Sequence, residues 1–171
     1  MIKTKQLPAV FMLISFILLS CESSINTLPK PENAKKEIAQ TIDNWHQAAG
    51  NSNFQQYFDL MDDNAVFVGT DSSEVWTKKA FMKFAKPYFD KGKAWHFKKI
   101  KRHIYLDSLS PNTAWFDETL NTWMGVCRGS GVLQYKNNRW LIEHYVLSLT
   151  VPNDKINSVI RVIKTDSLKE K

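Results

Sequence analysis

Apolar side chains at Ile38, Ile42, Trp45 and Ala49 recur every three or four residues, which places them on one face of a helix spanning Glu32 to Ala49. Gly50-Asn51-Ser52 ends that helix. Phe54, Tyr57, Phe58 and Met61 predict a second, short helix, and Ala65 to Val68 reads as a strand. A third helix carries Phe81, Phe84, Ala85, Tyr88 and Phe89 on one side, with Gly92 as a natural cap. From Trp95 the period changes to two, predicting strands over Trp95 to Asp107, Thr113 to Trp123, Val126 to Tyr135 and Arg139 to Leu149. Turn signals at Ser108 to Asn112, Met124-Gly125 and Asn137-Asn138 separate them. Beyond Pro152, the spacing of Ile156, Val159, Ile160 and Ile163 returns to helical.

Helices followed by an antiparallel meander make an α+β plan, in which the helices cover one concave face of the sheet. Between the first strand and the third helix stands Gly69-Thr70-Asp71-Ser72-Ser73-Glu74-Val75-Trp76. Asp71 and Ser72 suit an Asx-type turn, and Thr77 suits a helix N-cap with Trp76 as its apolar staple.

Counting outward from the turns gives a register. A two-residue turn at Asn137-Asn138 pairs Gly131 with His144, and a turn at Met124-Gly125 pairs Glu118 with Gly131. Pairing Leu106 with Ala114 then sets Arg102 opposite Glu118. Arg102, Glu118 and His144 are thus expected in one row on the core-facing side, with Ile100 and Ile104 on the same apolar face. His144 is the candidate general base or acid, Glu118 its orienting carboxylate, and Arg102 the group that holds Glu118 ionised or contacts an anionic ligand; the same three groups would also serve as a polar staple across three strands. The opposite face, with Trp115, Asp117, Thr119 and Arg128, is mixed in character. Trp45, Phe67, Trp76, Phe81, Trp95 and Trp140 either line a pocket for a flat apolar ligand or form plain core. His46 is expected to be exposed beside Trp45.

Composition narrows the picture. The chain has 171 residues, 43% hydrophobic and 12% aromatic, which suits one folded domain and excludes disorder. Its first 20 residues read as an export leader, with Lys3 and Lys5 ahead of the apolar run Leu7 to Leu19. Leu18-Leu19-Ser20-Cys21 resembles the bacterial lipobox, which implies a diacylglyceryl group on Cys21, attachment to a membrane through that lipid, and residence in the bacterial cell envelope, periplasmic or outer membrane. Residues 21–31 then form a tether, 32–154 the domain, and 155–171 a terminal helix and tail. Without the leader the formal charge of +6 becomes +4, from 21 basic and 17 acidic residues. The cluster Lys98-Lys99-Ile100-Lys101-Arg102-His103 reads as a solvated edge strand, and no nucleic-acid reader motif accompanies it. Cys127 is left as the sole thiol of the mature chain, His144 has no second imidazole near it, and no phosphate-cradling glycine loop is present, so no metal and no cofactor is expected.

The order of elements, together with "FVGTDSSEVW", "AWFDETL" and "RWLIEHYVLSLTVPND", resembles the SnoaL-like branch of the nuclear transport factor 2-like superfamily over about Glu32 to Asp154. The resemblance implies a cone of curved sheet closed by the N-terminal helices, and a small molecule held inside it. It also implies a homodimer formed through the sheets, and it places Asp71 and Glu74 at the rim of the cone. That fold hosts isomerases, cyclases, hydrolases and dehydratases as well as binding and dimerisation domains, so enzyme, ligand binder and interaction module all stay open. For the ketosteroid isomerase type, only Glu118 and Tyr57 stand in comparable roles, without matching motifs.

Overall fold

The computed structural model describes residues 28–167. Three helices come first: α1 (Pro31–Gly50), α2 (Phe54–Asp59) and, after strands β1 (Met61–Val68) and β2 (Val75–Thr77), α3 (Lys78–Asp90). The meander β3 (Lys98–Leu106), β4 (Thr113–Thr122), β5 (Gly125–Lys136) and β6 (Arg139–Leu149) follows, and a single 3-10 turn leads to α4 (Ile156–Ser167). The six strands form one sheet in the order β2-β1-β6-β5-β4-β3. Every neighbouring pair is antiparallel except β1 with β6, which run parallel. Among the described residues no helix is long and apolar enough to cross a membrane.

The α+β plan and its helix-covered face stand as expected, while several element boundaries differ. Met61 opens β1 rather than closing α2, because Leu60 accepts a hydrogen bond from the Ile142 amide and Met61 registers with Ile142. Tertiary pairing with β6 overrides the local helical spacing. Val75–Thr77, expected as loop, pairs with β1 as a short edge strand. Trp95 and Phe97 precede β3 instead of belonging to it. Thr77 does cap α3, its hydroxyl accepting from the Ala80 amide at 3.3 Å.

Aromatic packing fills the space between helices and sheet. Trp45 of α1 stacks on Tyr57 of α2 at 4.8 Å between centroids and meets Tyr145 of β6 edge-on at 4.7 Å. Phe67 and Phe81 stack at 4.1 Å. Edge-on and offset contacts of this kind add about 0.5–1.5 kcal/mol each beyond the area they bury. At the far edge, β3 has a bulge at Ile100, since Lys99 pairs with Leu120 and Lys101 with Thr119. Ile100 therefore leaves the core face predicted for it and is exposed, while Ile104 keeps its half-buried place. A bulge and three lysines on an edge strand discourage edge-to-edge pairing with another sheet.

Candidate functional site

The β5–β6 turn is as expected: Asn137 and Asn138 both adopt positive φ, the two-residue hairpin geometry, and Lys136 pairs with Arg139. The register changes further along. Leu133 pairs with Ile142 but Val132 with His144, so Glu143 is an extra residue in β6. That bulge reverses the facing of everything after it. Tyr145 and Leu147 turn into the core, and His144 and Val146 turn to the outer face. The expected Glu118–His144 pair is thereby corrected: the two side chains lie on opposite faces of the sheet.

Glu118 itself is where the sequence places it. It faces the core from β4, opposite Arg102, with its side chain fully buried. The partner that replaces His144 is His46, on the apolar stripe of α1 and 7% exposed rather than solvated. His46 Nε2 stands 2.6 Å from Glu118 Oε1. Because a carboxylate only accepts, that nitrogen carries the proton. Arg102 donates to Oε2 from Nε at 2.9 Å and from Nη2 at 2.6 Å, and from Nη1 to the Ala39 carbonyl and to Asp43 Oδ1. The Tyr145 hydroxyl reaches Oε1 at 3.5 Å. Burial works to raise the Glu118 carboxyl, but His46 and Arg102 more than offset it and hold the group below its ordinary range. Asp43 is likewise held low, burial being outweighed by Lys99 and Arg102.

Stripe position was the available signal for His46: it follows Ile42 by four residues and Ile38 by eight, squarely on the buried side of α1. An imidazole on an otherwise apolar face needs a partner, and the only buried carboxylate facing α1 from the meander is Glu118 among the described residues.

The apolar recess lies elsewhere, where the β1–β2 loop, the α3–β3 connection and the β4–β5 turn converge. It encloses about 160 Å³ between Phe67, Phe81, Phe84, Trp95, Phe97 and Leu147. Gly69, Thr70, Glu74, Trp123 and Met124 complete its rim. Phe67 and Trp95 are thus at the wall. Trp76 stacks on the wall residue Phe84 at 5.1 Å without lining the recess. Trp45, Tyr57, Trp140 and the Arg102 side chain are corrected: they are buried, and none lines the space. Leu147 was hidden from sequence reading because the Glu143 bulge alone turns it inward. Of the two acidic rim candidates, Glu74 lines the mouth, whereas Asp71 folds back to accept from the Ser73 amide and hydroxyl at 2.8 and 2.6 Å. Other recesses include surface furrows bordered by charged side chains, such as that of Gln55, Asp59, Asp63, Lys78 and Lys79, and one of about 390 Å³ between Pro29, Pro31, Ala34, Leu106 and Pro111. No group of three or more His, Cys, Asp or Glu among the described residues is arranged to hold a metal ion.

Comparison with known proteins agrees with this architecture. The NTF2-like protein of unknown function from Pseudomonas putida KT2440 superposes with a TM-score of 0.60 at 13% identity, over 74% of this chain and 94% of its own. An NTF2-like protein from Cytophaga hutchinsonii ATCC 33406 gives 0.57 at 14% identity, over 71% and 100%. The association domain of C. elegans CaMKII gives 0.56 at 16%, over 69% and 97%. At such identities the likeness concerns the fold alone. No curated protein matches the sequence significantly. The family model of the SnoaL-like domain matches residues 38–152, from the buried stripe of α1 to the end of the sheet. With that match over more than half its length, the chain belongs to the SnoaL-like domain family, and it shares the fold of these NTF2-like proteins.

Proposed function

We propose that this protein is a lipid-anchored envelope protein whose domain binds a small, mostly apolar molecule in the aromatic recess at the mouth of the cone. The observation that carries the reading is the wall itself: six apolar side chains from four separate elements converge on one space of about 160 Å³. That volume lies below the roughly 300 Å³ at which drug-sized ligands begin to fit, so the occupant is on the scale of a single ring.

Binding is favoured over catalysis by the state of Glu118. A general base must reach its substrate and must have a free lone pair near neutral pH. Both Glu118 oxygens are taken by His46 and Arg102, and the carboxylate does not line the recess. The pair acts in this reading as a polar staple between α1 and the sheet.

Benzyl alcohol suits the recess in size, and its binding to the full chain is read from shifts of the tryptophan indole N–H signals in NMR spectra. Leu147→Trp, which fills the space from its sheet side, is expected to weaken binding at least tenfold. Equal binding to both chains would remove the recess from the function.

The anchor and the dimer complete the proposal. Cys21 lies outside the described residues, so lipid attachment rests on the lipobox resemblance alone. A dimer through the outer sheet face is supported by Tyr105 and Trp115, which are exposed and stacked on one another at 5.7 Å, and by exposed Val126. Cys21→Ser should abolish incorporation of labelled palmitate into the protein, and sedimentation of the chain from residue 22 onward should give twice its own mass. Unchanged palmitate incorporation, or a monomeric mass, would overturn the respective part.

A further inference from the structure

Phe97 stands between two recesses of opposite chemistry. On one side is the aromatic space, with Trp95, Phe81 and Leu147. On the other is a groove of about 530 Å³ between α1 and the start of β3, bordered by Asp43, His46, His96, Phe97, Lys98 and Lys99. The Phe97 ring is half-buried and meets the His46 ring edge-on at 6.1 Å.

The charges of the groove do not cancel. Asp43 is saturated, since Lys99 donates to both of its oxygens at 2.9 Å and Arg102 to one at 2.8 Å. Beneath the groove Arg102 and Glu118 neutralise one another. Lys98, which opens β3 in register with outward-facing Asn121, borders the groove at its rim, has no ionic partner among the described residues, and is the uncompensated charge there. His96 is similarly without a polar partner there; its ring rests against Gly50, where an added Cβ would stand 2.6 Å from Nδ1. His46, with Nε2 committed to Glu118, presents a ring fixed in orientation and only its Nδ1 edge for a second partner.

We propose that the ligand is a small amphiphilic acid whose ring fills the aromatic recess and whose carboxylate passes Phe97 to reach Lys98 and His96. The inference rests on the aromatic recess being the binding site, and it adds the charged half. A monoanion matches one uncompensated ammonium, whereas a dianionic phosphate would leave surplus negative charge beside Asp43. The connection that bears Trp95 and Phe97 has no regular secondary structure, so the partition between the two recesses is a side chain rather than a strand.

The test compares benzoate with benzyl alcohol, neutral and nearly the same in shape, on the full chain by the same NMR titration. Benzoate is expected to bind about fivefold tighter at low salt, the scale of one partly exposed ion pair, with the advantage shrinking as sodium chloride is raised. Lys98→Gln and His96→Gln, both at groups without partners in the fold, should each reduce benzoate affinity while leaving that for benzyl alcohol unchanged. Equal affinities for the two probes, or full benzoate affinity in both variants, would overturn the inference and leave the apolar pocket intact. Binding of neither probe would overturn the pocket and this inference together.

Discussion

Arg102→Met should unfold at a much lower denaturant concentration than the parent chain, with a loss of about 3–5 kcal/mol, because it strands a buried carboxylate. Glu118 sits inside the core with a side chain at zero exposure, and Arg102 supplies two of its strongest hydrogen bonds. The guanidinium also ties α1 to the sheet through Ala39 and Asp43, so its removal loosens the helix that closes the cone. Arg102→Lys should fall between the two: it keeps a charge but not the planar fork that serves Glu118, Asp43 and the Ala39 carbonyl at once.

The pH dependence gives this prediction a second, independent reading. In the parent chain Glu118 ionises below its ordinary value of 4.5. Its contribution to stability is therefore fully present above about pH 4.5 and is lost as pH falls through the lower folded-state value. In Arg102→Met the raising effect of burial is opposed by His46 and the long Tyr145 contact without the guanidinium, and the folded-state value should climb. The acid-side loss of stability traceable to this group should then shrink or change sign. Chemical denaturation of both chains between pH 3 and 7 decides the matter; parallel curves would mean that the guanidinium does not set the charge state of Glu118.

How much of this was legible in the sequence depends on whether a turn or a bulge set the register. Arg102 opposite Glu118 was legible only through the choice to pair Leu106 with Ala114, which the long β3–β4 loop does not force and which the structure has. The β4–β5 turn is centred on Trp123-Met124 rather than Met124-Gly125, so Thr122 pairs with Gly125 and Glu118 faces Gly129 instead of Gly131. A slip of two residues preserves the faces, and the error was harmless. The Glu143 bulge shifts pairing by one and was not harmless. Nothing in Trp140-Leu141-Ile142-Glu143-His144-Tyr145 announces it, since His144 and Tyr145 are both plausible on either face. What decides between them is volume: Trp45, Phe67 and Phe116 form a ring of aromatic contacts that Tyr145 completes. Local pattern carries no record of a cavity assembled from four distant segments.

Gly131→Ala is the sharpest test of that bulge, and it should cost about 3 kcal/mol, the upper end of what an extra buried methyl usually does. An added Cβ at position 131 collides with the His144 carbonyl oxygen on the neighbouring strand and stands 2.8 Å from Phe116 Cε1. The carbonyl is backbone, fixed between two paired strands, and it cannot move aside without unpicking the pairing of β5 with β6. Gly129→Ala offers the matched comparison. There the Cβ meets the Tyr145 hydroxyl, with Cζ at 3.0 Å and Glu118 Cγ at 3.1 Å. A phenol can tilt away, at the expense of its 3.5 Å contact with Glu118. The Gly129→Ala loss should accordingly be smaller and should be largely recovered by adding Tyr145→Phe, which deletes the colliding oxygen. No side-chain deletion can recover Gly131→Ala in the same way. If thermal unfolding ranks Gly131→Ala as the milder of the two, the His144 carbonyl does not lie over Gly131, and the inward placement of Tyr145 that removes His144 from the site falls with it.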